Sequence, residues 1–229
     1  MINEMIILAG GLGTRLRSAV PELPKCMAPV NGKPFINYVI DHFQKQDITR
    51  FIFALGYKNE MFESFLSSLS NISYQLSIEK EPLGTGGAIK LACNVADSEN
   101  VLVTNGDTLF RADAKSISDF HISNVADSTL CLKPMHKFDR YGVVELSNDN
   151  RIASFREKQF YESGYINGGL YALNKNKFLQ EQLPEKFSFE KDYLEQLYMQ
   201  RSMFGVVQDE YFIDIGIPED YAKAQVELS

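Results

Sequence analysis

The chain has 229 residues, 45% of them hydrophobic, with 23 Lys and Arg against 30 Asp and Glu, a net charge of −7. That length supports one well-buried core. The acidic balance argues against a partner that needs a basic face, such as nucleic acid or an anionic membrane. Cys26, Cys93 and Cys131 are odd in number and far apart, and His42, His121 and His136 are scattered, so neither a disulfide framework nor a zinc site is expected.

The first apolar run, residues 5–9, follows Glu4 and is too short for a signal peptide or a membrane span, which predicts a cytoplasmic protein with reduced thiols. Further strands are predicted at 51–55, 73–78 and 101–104, with helices at 35–46, 59–68 and 88–95 between them. Strands separated by single helices imply parallel crossovers and a sheet covered on both faces. The second half reads as strands at 128–135, 142–146, 152–155 and 165–173 and helices at 175–181 and 189–200. Strands at 204–207 and 211–215 follow, then a helix opening at Pro218, where proline suits the first turn. The fold class is therefore α/β, a mixed, mostly parallel central sheet flanked by helices in a single domain over 1–229. Its halves divide near residue 110, and ligands in such sheets lie beyond the carboxyl ends of the strands.

After the first strand comes GGLGTRL, residues 10–16, with Lys25 nine residues further on inside PKCMAP. A dinucleotide fingerprint would need glycine where Leu16 stands. A Walker A loop ending at Lys33 would need glycine at Met27 and a hydroxyl at Pro34. What remains is a phosphate cradle of backbone N–H groups, Thr14, a guanidinium and an ammonium. A glycine turn with solvated cations would look the same, but three later segments tip the balance. EPLGTGGAIK (81–90) is a second glycine-rich stretch leading into a helix, suited to holding a base or a phosphate. In VLVTNGD, Asp107 stands at the carboxyl end of a buried strand. In YFIDIGIPEDY, Asp214 interrupts an apolar strand, which is costly unless the carboxylate is paired or metal-bound. Two such aspartates suit one Mg²⁺.

Together, and in this order, GGLGTRL with its downstream lysine, LGTGGA, NGD, the Glu157-Lys158 pair, NGG at 167–169 and DIG at 214–216 resemble the sugar-1-phosphate nucleotidylyltransferases over essentially the whole chain. Within that family, EPLGTGGAIK, FDRYG, INGGLY, FSFEKD and YFIDIGIPEDY are most similar to guanylyltransferases of D-glycero-α-D-manno-heptose 1-phosphate. The resemblance implies a Rossmann-like nucleotidyltransferase fold, with a nucleotide-binding half over about 1–110 and a sugar-phosphate-binding half over about 111–229. The implied reaction joins a nucleoside triphosphate, GTP, to a sugar 1-phosphate, releasing pyrophosphate and making GDP-heptose for surface polysaccharide. Mg²⁺ is the implied cofactor, and a homo-oligomer is compatible with it.

The resemblance further implies catalytic roles for Arg15, Lys25, Asp107 and Lys158. It implies nucleotide contacts from Leu8, Ala9, Gly10, Gly11, Gly13, Thr14, Arg15, Lys25, Glu79, Pro82, Gly84, Thr85 and Gly87. Sugar-phosphate contacts fall to Gly142, Glu157, Lys158, Asn167 and Gly168, and metal ligation to Asp107 and Asp214. Read without the family, Glu157 and Lys158 are an exposed ion pair, and Phe187–Phe189 are packing residues. Guanine offers N1–H and an exocyclic amine, so either Glu79 or Glu81 could read it. A mannose 1-phosphate guanylyltransferase, an amino-sugar uridylyltransferase and a non-catalytic nucleotide-sugar sensor are the alternatives. A glycosyltransferase of related topology would carry Asp-x-Asp, and Asn105-Gly106-Asp107 is not that. The family's loops usually have proline where Cys26 stands. A thiol beside an ammonium has a lowered pKa, so alkylation of Cys26 is expected to inhibit.

Overall fold

The computed structural model describes residues 1–11, 23–56, 59–69 and 72–228. In β1 (Glu4–Leu8), Met5 and Ile7 enter one hydrophobic core and Ile6 enters a second. Alternate side chains of a strand point to opposite faces, so a strand apolar throughout must be covered on both. A two-stranded hairpin, β2 (Pro29–Val30) and β3 (Lys33–Pro34), then leads into α1 (Phe35–Gln44). Phe35, Ile36, Val39, Ile40 and Phe43 form one buried stripe on this helix at helical spacing. β4 (Arg50–Leu55) repeats the division seen in β1. Phe51, Phe53 and Leu55 join the first core, while Ile52 and Ala54 join the second. α2 (Asn59–Ser68) and β5 (Ser73–Ile78) follow, with the bounds predicted for both.

α3 (Gly84–Cys93) begins four residues before the predicted start, so the second glycine-rich stretch is its first turn rather than a loop. Glycine is a poor helix former, and tertiary packing overrides that here. A Cβ on Gly86 would lie 2.1 Å from the Phe187 ring, and one on Gly87 would lie 2.5 Å from the Glu185 carbonyl oxygen. The chain then runs through β6 (Asn100–Asn105), β7 (Thr108–Phe110) and α4 (Ala114–Ser123). α4 is absent from the sequence prediction. Its inward stripe of Ala114, Ile117, Ser118 and His121 is half polar, and the polar members are satisfied internally. Ser118 Oγ donates to the Ala114 carbonyl at 2.6 Å, and the His121 ring meets Thr129 Oγ1 at 3.0 Å and Asn100 Oδ1 at 3.1 Å.

The second half supplies β8 (Ser128–Phe138), β9 (Val143–Leu146), β10 (Ile152–Arg156), β11 (Tyr161–Asn174) and α5 (Lys175–Leu179). A π-helical segment (Phe189–Leu194) passes directly into a single α-turn, α6 (Glu195–Leu197), where one regular helix was expected. β12 (Met203–Val207), β13 (Phe212–Asp214) and α7 (Pro218–Glu227) complete the chain. α7 opens with Pro218, Glu219 and Asp220 in its first turn, as the helix dipole favours.

Seven strands form one sheet in the order β12-β8-β11-β6-β1-β4-β5, and only β11 runs against the others. β1 lies between β4 and β6, so the connections reverse direction at its carboxyl end. Open α/β sheets form their ligand crevices at such a point. Among the described residues no helix is long and apolar enough to cross a membrane.

Candidate active site

Three chain segments meet beyond the carboxyl ends of β1 and β6. Lys25 opens a short 3₁₀ turn (Lys25–Met27) after Pro24. α7 steadies the hairpin beyond that turn, through Tyr221 Oη and Gln225 Nε2, which both donate to the Pro29 carbonyl. Asp107 follows β6. Asp214 ends β13, whose antiparallel register with β7 sets Asp214 opposite Thr108, while the Ile215 N–H donates to the Asp107 carbonyl at 3.1 Å. Residues 107 positions apart are thereby made neighbours. The Lys25 ammonium sits between the two carboxylates, bonding Asp107 Oδ2 closely and Asp214 Oδ1 at 3.3 Å. Lys25 is 12% exposed, against 31% for Asp107 and 23% for Asp214, so the cluster is shielded yet open on one side.

Two cavities adjoin this cluster. The first, of about 500 Å³, is lined by Leu8, Ala9, Gly10, Gly11, Lys25, Glu79, Pro82, Gly84 and Thr85 among the expected residues. Gly87 is not on its wall, because it packs on Glu185 instead. Gly13, Thr14 and Arg15 lie outside the described residues. Of the two glutamates open for base recognition, Glu79 faces this cavity and the exposed Glu81 is not on its wall. Glu79 accepts the Leu83 N–H at 2.9 Å, which draws its carboxyl down, but burial dominates and pushes it above the usual glutamate value. The second cavity, of about 720 Å³, is lined by Gly142, Glu157, Lys158, Asn167 and Gly168, the whole expected sugar-phosphate set.

The Asn167-Gly168-Gly169 stretch lies on the second cavity because β11 bulges there, its register against β8 shifting between Asn167 and Leu170. Gly169 takes a φ of +72°, and a Cβ at this position would lie 2.6 Å from Asn105 Nδ2, so both conformation and space demand glycine. Asn105, Thr108, Glu190 and Asp214 line both cavities, which makes the two continuous beside the Lys25 cluster. Sequence reasoning missed Asn105, Thr108 and Glu190. Asn105 stands within the NGD signature and could have been found there. Glu190 lies within FSFEKD, whose phenylalanines drew the reading towards packing.

One expectation is overturned. Cys26 is 3% exposed, and its thiol is pushed far above the ordinary cysteine range by burial first and then by Asp107. The nearby Lys25 ammonium lowers it too little to compensate. Cys26 is a packed thiol held near the Ala9 carbonyl, not an activated one.

The aspartate pair also answers for a metal. Among the described residues no three His, Cys, Asp or Glu side chains converge. Two hard carboxylates that jointly hold one cation, here the ammonium of Lys25, nevertheless form a donor set suited to Mg²⁺, which usually takes one or two carboxylates and completes its shell with phosphate oxygens and water.

Residues 4–229 match the family described as Nucleotidyl transferase. The chain belongs to that family. Among nucleotidyl transferases it is 53% identical over 226 residues, 98% of each chain, to D-glycero-alpha-D-manno-heptose 1-phosphate guanylyltransferase of Aneurinibacillus thermoaerophilus. It is 45% identical to the protein of the same name from Campylobacter jejuni, over 95% of this chain and 96% of that one. The crystal structure of HddC from Yersinia pseudotuberculosis complexed with GMP-PN superimposes with a TM-score of 0.88 at 36% identity, covering the whole of both chains. The expected fold and family therefore both hold.

Proposed function

We propose that the protein transfers the guanylyl group of GTP to D-glycero-α-D-manno-heptose 1-phosphate, giving GDP-heptose and pyrophosphate for surface polysaccharide. The observation that carries this reading is the pair of continuous cavities with Lys25, Asp107 and Asp214 at their junction. The names and extent of identity of the relatives support the choice of base and sugar.

The sugar phosphate oxygen is ionised at neutral pH, so it can attack the α-phosphorus without a general base. The new P–O bond forms as the α–β bridging bond breaks and pyrophosphate leaves with the electron pair. The site's task is alignment and charge neutralisation. Lys25 lies on the wall of the first cavity, bonded to Asp214, which lines both, and a pivot of its ammonium away from Asp214 would meet the α-phosphate as charge accumulates. Arg15 is assigned to the departing pyrophosphate, and Lys158 to the sugar phosphate. Glu157, Gly142, Asn167 and Gly168 are assigned to sugar hydroxyls, and Glu79 to the guanine edge. Asp107 and Asp214 would hold Mg²⁺, which when bound neutralises triphosphate charge.

The test is pyrophosphate release measured with four nucleoside triphosphates against heptose, mannose, glucose and N-acetylamino-sugar 1-phosphates in the presence of Mg²⁺. Turnover confined to GTP with the heptose phosphate is expected. Turnover concentrated in another pair would correct the substrates, and no turnover with any pair would refute the reading.

A further inference from the structure

The π-helical segment carries Glu190 to the seam between the two cavities, on the wall of both. π-turns insert an extra residue per turn and are seen most often where a side chain must be re-aimed at a functional site. Here Phe189 and Tyr193 stay in the core while Glu190 reaches the site. Its carboxylate accepts from Thr85 Oγ1 at 2.9 Å and from Ser188 Oγ at 3.1 Å. Thr85 is bound to the segment a second time, since its Oγ1 accepts the Phe189 N–H at 2.8 Å. Thr85 lies in the first turn of α3, on the nucleotide side.

On the other side stands Tyr171, which is 1% exposed. Its hydroxyl accepts from Asn167 Nδ2 at 2.9 Å, and Tyr171 shares the wall of the second cavity with Glu190, whose nearby carboxylate adds to burial in pushing the phenol well above its ordinary pKa. Asn167 Oδ1 in turn accepts the Gly169 N–H at 3.0 Å within the β11 bulge, so both ends of this carboxamide are held. Among the described residues no cation is ion-paired with Glu190. An anion beside a site built for phosphates is a liability by charge alone, so its presence calls for a role its hydrogen bonds supply.

We propose that Glu190 is a positioning residue that couples the two half-sites. A contact made by nucleotide near Thr85 is passed through the Glu190 carboxylate and the Tyr171 hydroxyl to the Asn167 carboxamide, so that bound nucleotide raises the affinity for sugar phosphate. This rests on the assignment of nucleotide to the first cavity and sugar phosphate to the second.

The test is calorimetric titration of heptose 1-phosphate into the protein with Mg²⁺, with and without saturating GTP analogue whose α–β bridge cannot be cleaved. Wild type is compared with Glu190→Gln and Tyr171→Phe. Nucleotide should tighten sugar phosphate binding to the wild type by about fivefold or more, the lower range of ordinary coupling. In Tyr171→Phe, which keeps the ring and removes only the link, the ratio should fall to within twofold of unity while nucleotide affinity stays within threefold of wild type. Glu190→Gln should lower the ratio in the same direction and raise the KM for sugar phosphate more than the KM for GTP. A wild-type ratio near unity, variants that keep the wild-type ratio, or equal loss of both affinities would overturn the proposal. If the wild type turns over a different pair of substrates, the substrate assignment fails alone, and the same ratio is read with that pair.

Discussion

Replacing Lys25 with alanine removes the ammonium that bonds both Asp107 and Asp214. At the 3.3 Å separation from Asp214, and with an effective dielectric of about 20, that contact is worth roughly 5 kcal/mol before desolvation is subtracted. Under the proposed function the ammonium would meet the triphosphate in the same shielded place, with charge that grows as the reaction proceeds. A preorganised donor of this kind contributes about 2.7–4 kcal/mol to the transition state, so kcat should fall about 10²–10³-fold. The variant also leaves two carboxylates without their counterion. Mn²⁺, as a spectroscopic substitute for Mg²⁺, should bind to it about tenfold more tightly, the equivalent of about 1.4 kcal/mol of relieved repulsion. The assays are pyrophosphate release at saturating substrates and Mn²⁺ titration followed by electron paramagnetic resonance, on protein whose thermal unfolding remains cooperative. A kcat within threefold of wild type together with unchanged Mn²⁺ affinity would refute the reasoning.

His121 is 1% exposed and its pKa is pushed down to about 4, by burial first and then by the Lys177 ammonium. A depressed pKa contributes stability that is present above the unfolded value of 6.5 and is lost as pH falls towards 4. The full effect is about 3 kcal/mol. Urea unfolding should therefore show His121→Gln losing less stability than wild type between pH 7.5 and 4.5, and parallel losses would contradict this account. Gly86→Ala would press a methyl group against the buried Phe187 ring. Overpacking of this sort costs about 1–3 kcal/mol, which lowers Tm by roughly 2–12 °C in a chain of this size; an unchanged Tm in a calorimetric scan would be the contrary result. Iodoacetamide at pH 8 should leave activity intact and Cys26 unlabelled by mass spectrometry, whereas rapid labelling of the native protein would show the thiol to be activated after all.

The sequence announces the sheet because its inner strands must be apolar on two faces, and runs such as 51–55 have few other uses. Hidden structure is hidden for physical reasons. The stripe of α4 includes Ser118 and His121, which enter the core only because Ala114, Thr129 and Asn100 supply partners that no pattern foretells. The N-cap of α4 went unread with it, although Asp113 accepts from the Lys115 and Ser116 N–H groups as an N-cap aspartate should. Asp107 and Asp214 stand out in the sequence as misplaced carboxylates, but their meeting depends on β7 and its pairing with β13. β7 is three residues long and offers no periodicity to read. Glu190 stays concealed because it alternates with phenylalanines that do belong to the core.

The pairing of β13 with β7 also has a bearing on how the molecule matures. The seventh strand of the main sheet ends at Val207, so that sheet can be completed before Asp214 finds its place. A nascent or truncated chain that stops between them would hold most of its hydrophobic cores and half of its cation site. Completion of the aspartate pair thus waits on the pairing of β13 with β7, the same step that seats Ile213 and Ile215 in the first core.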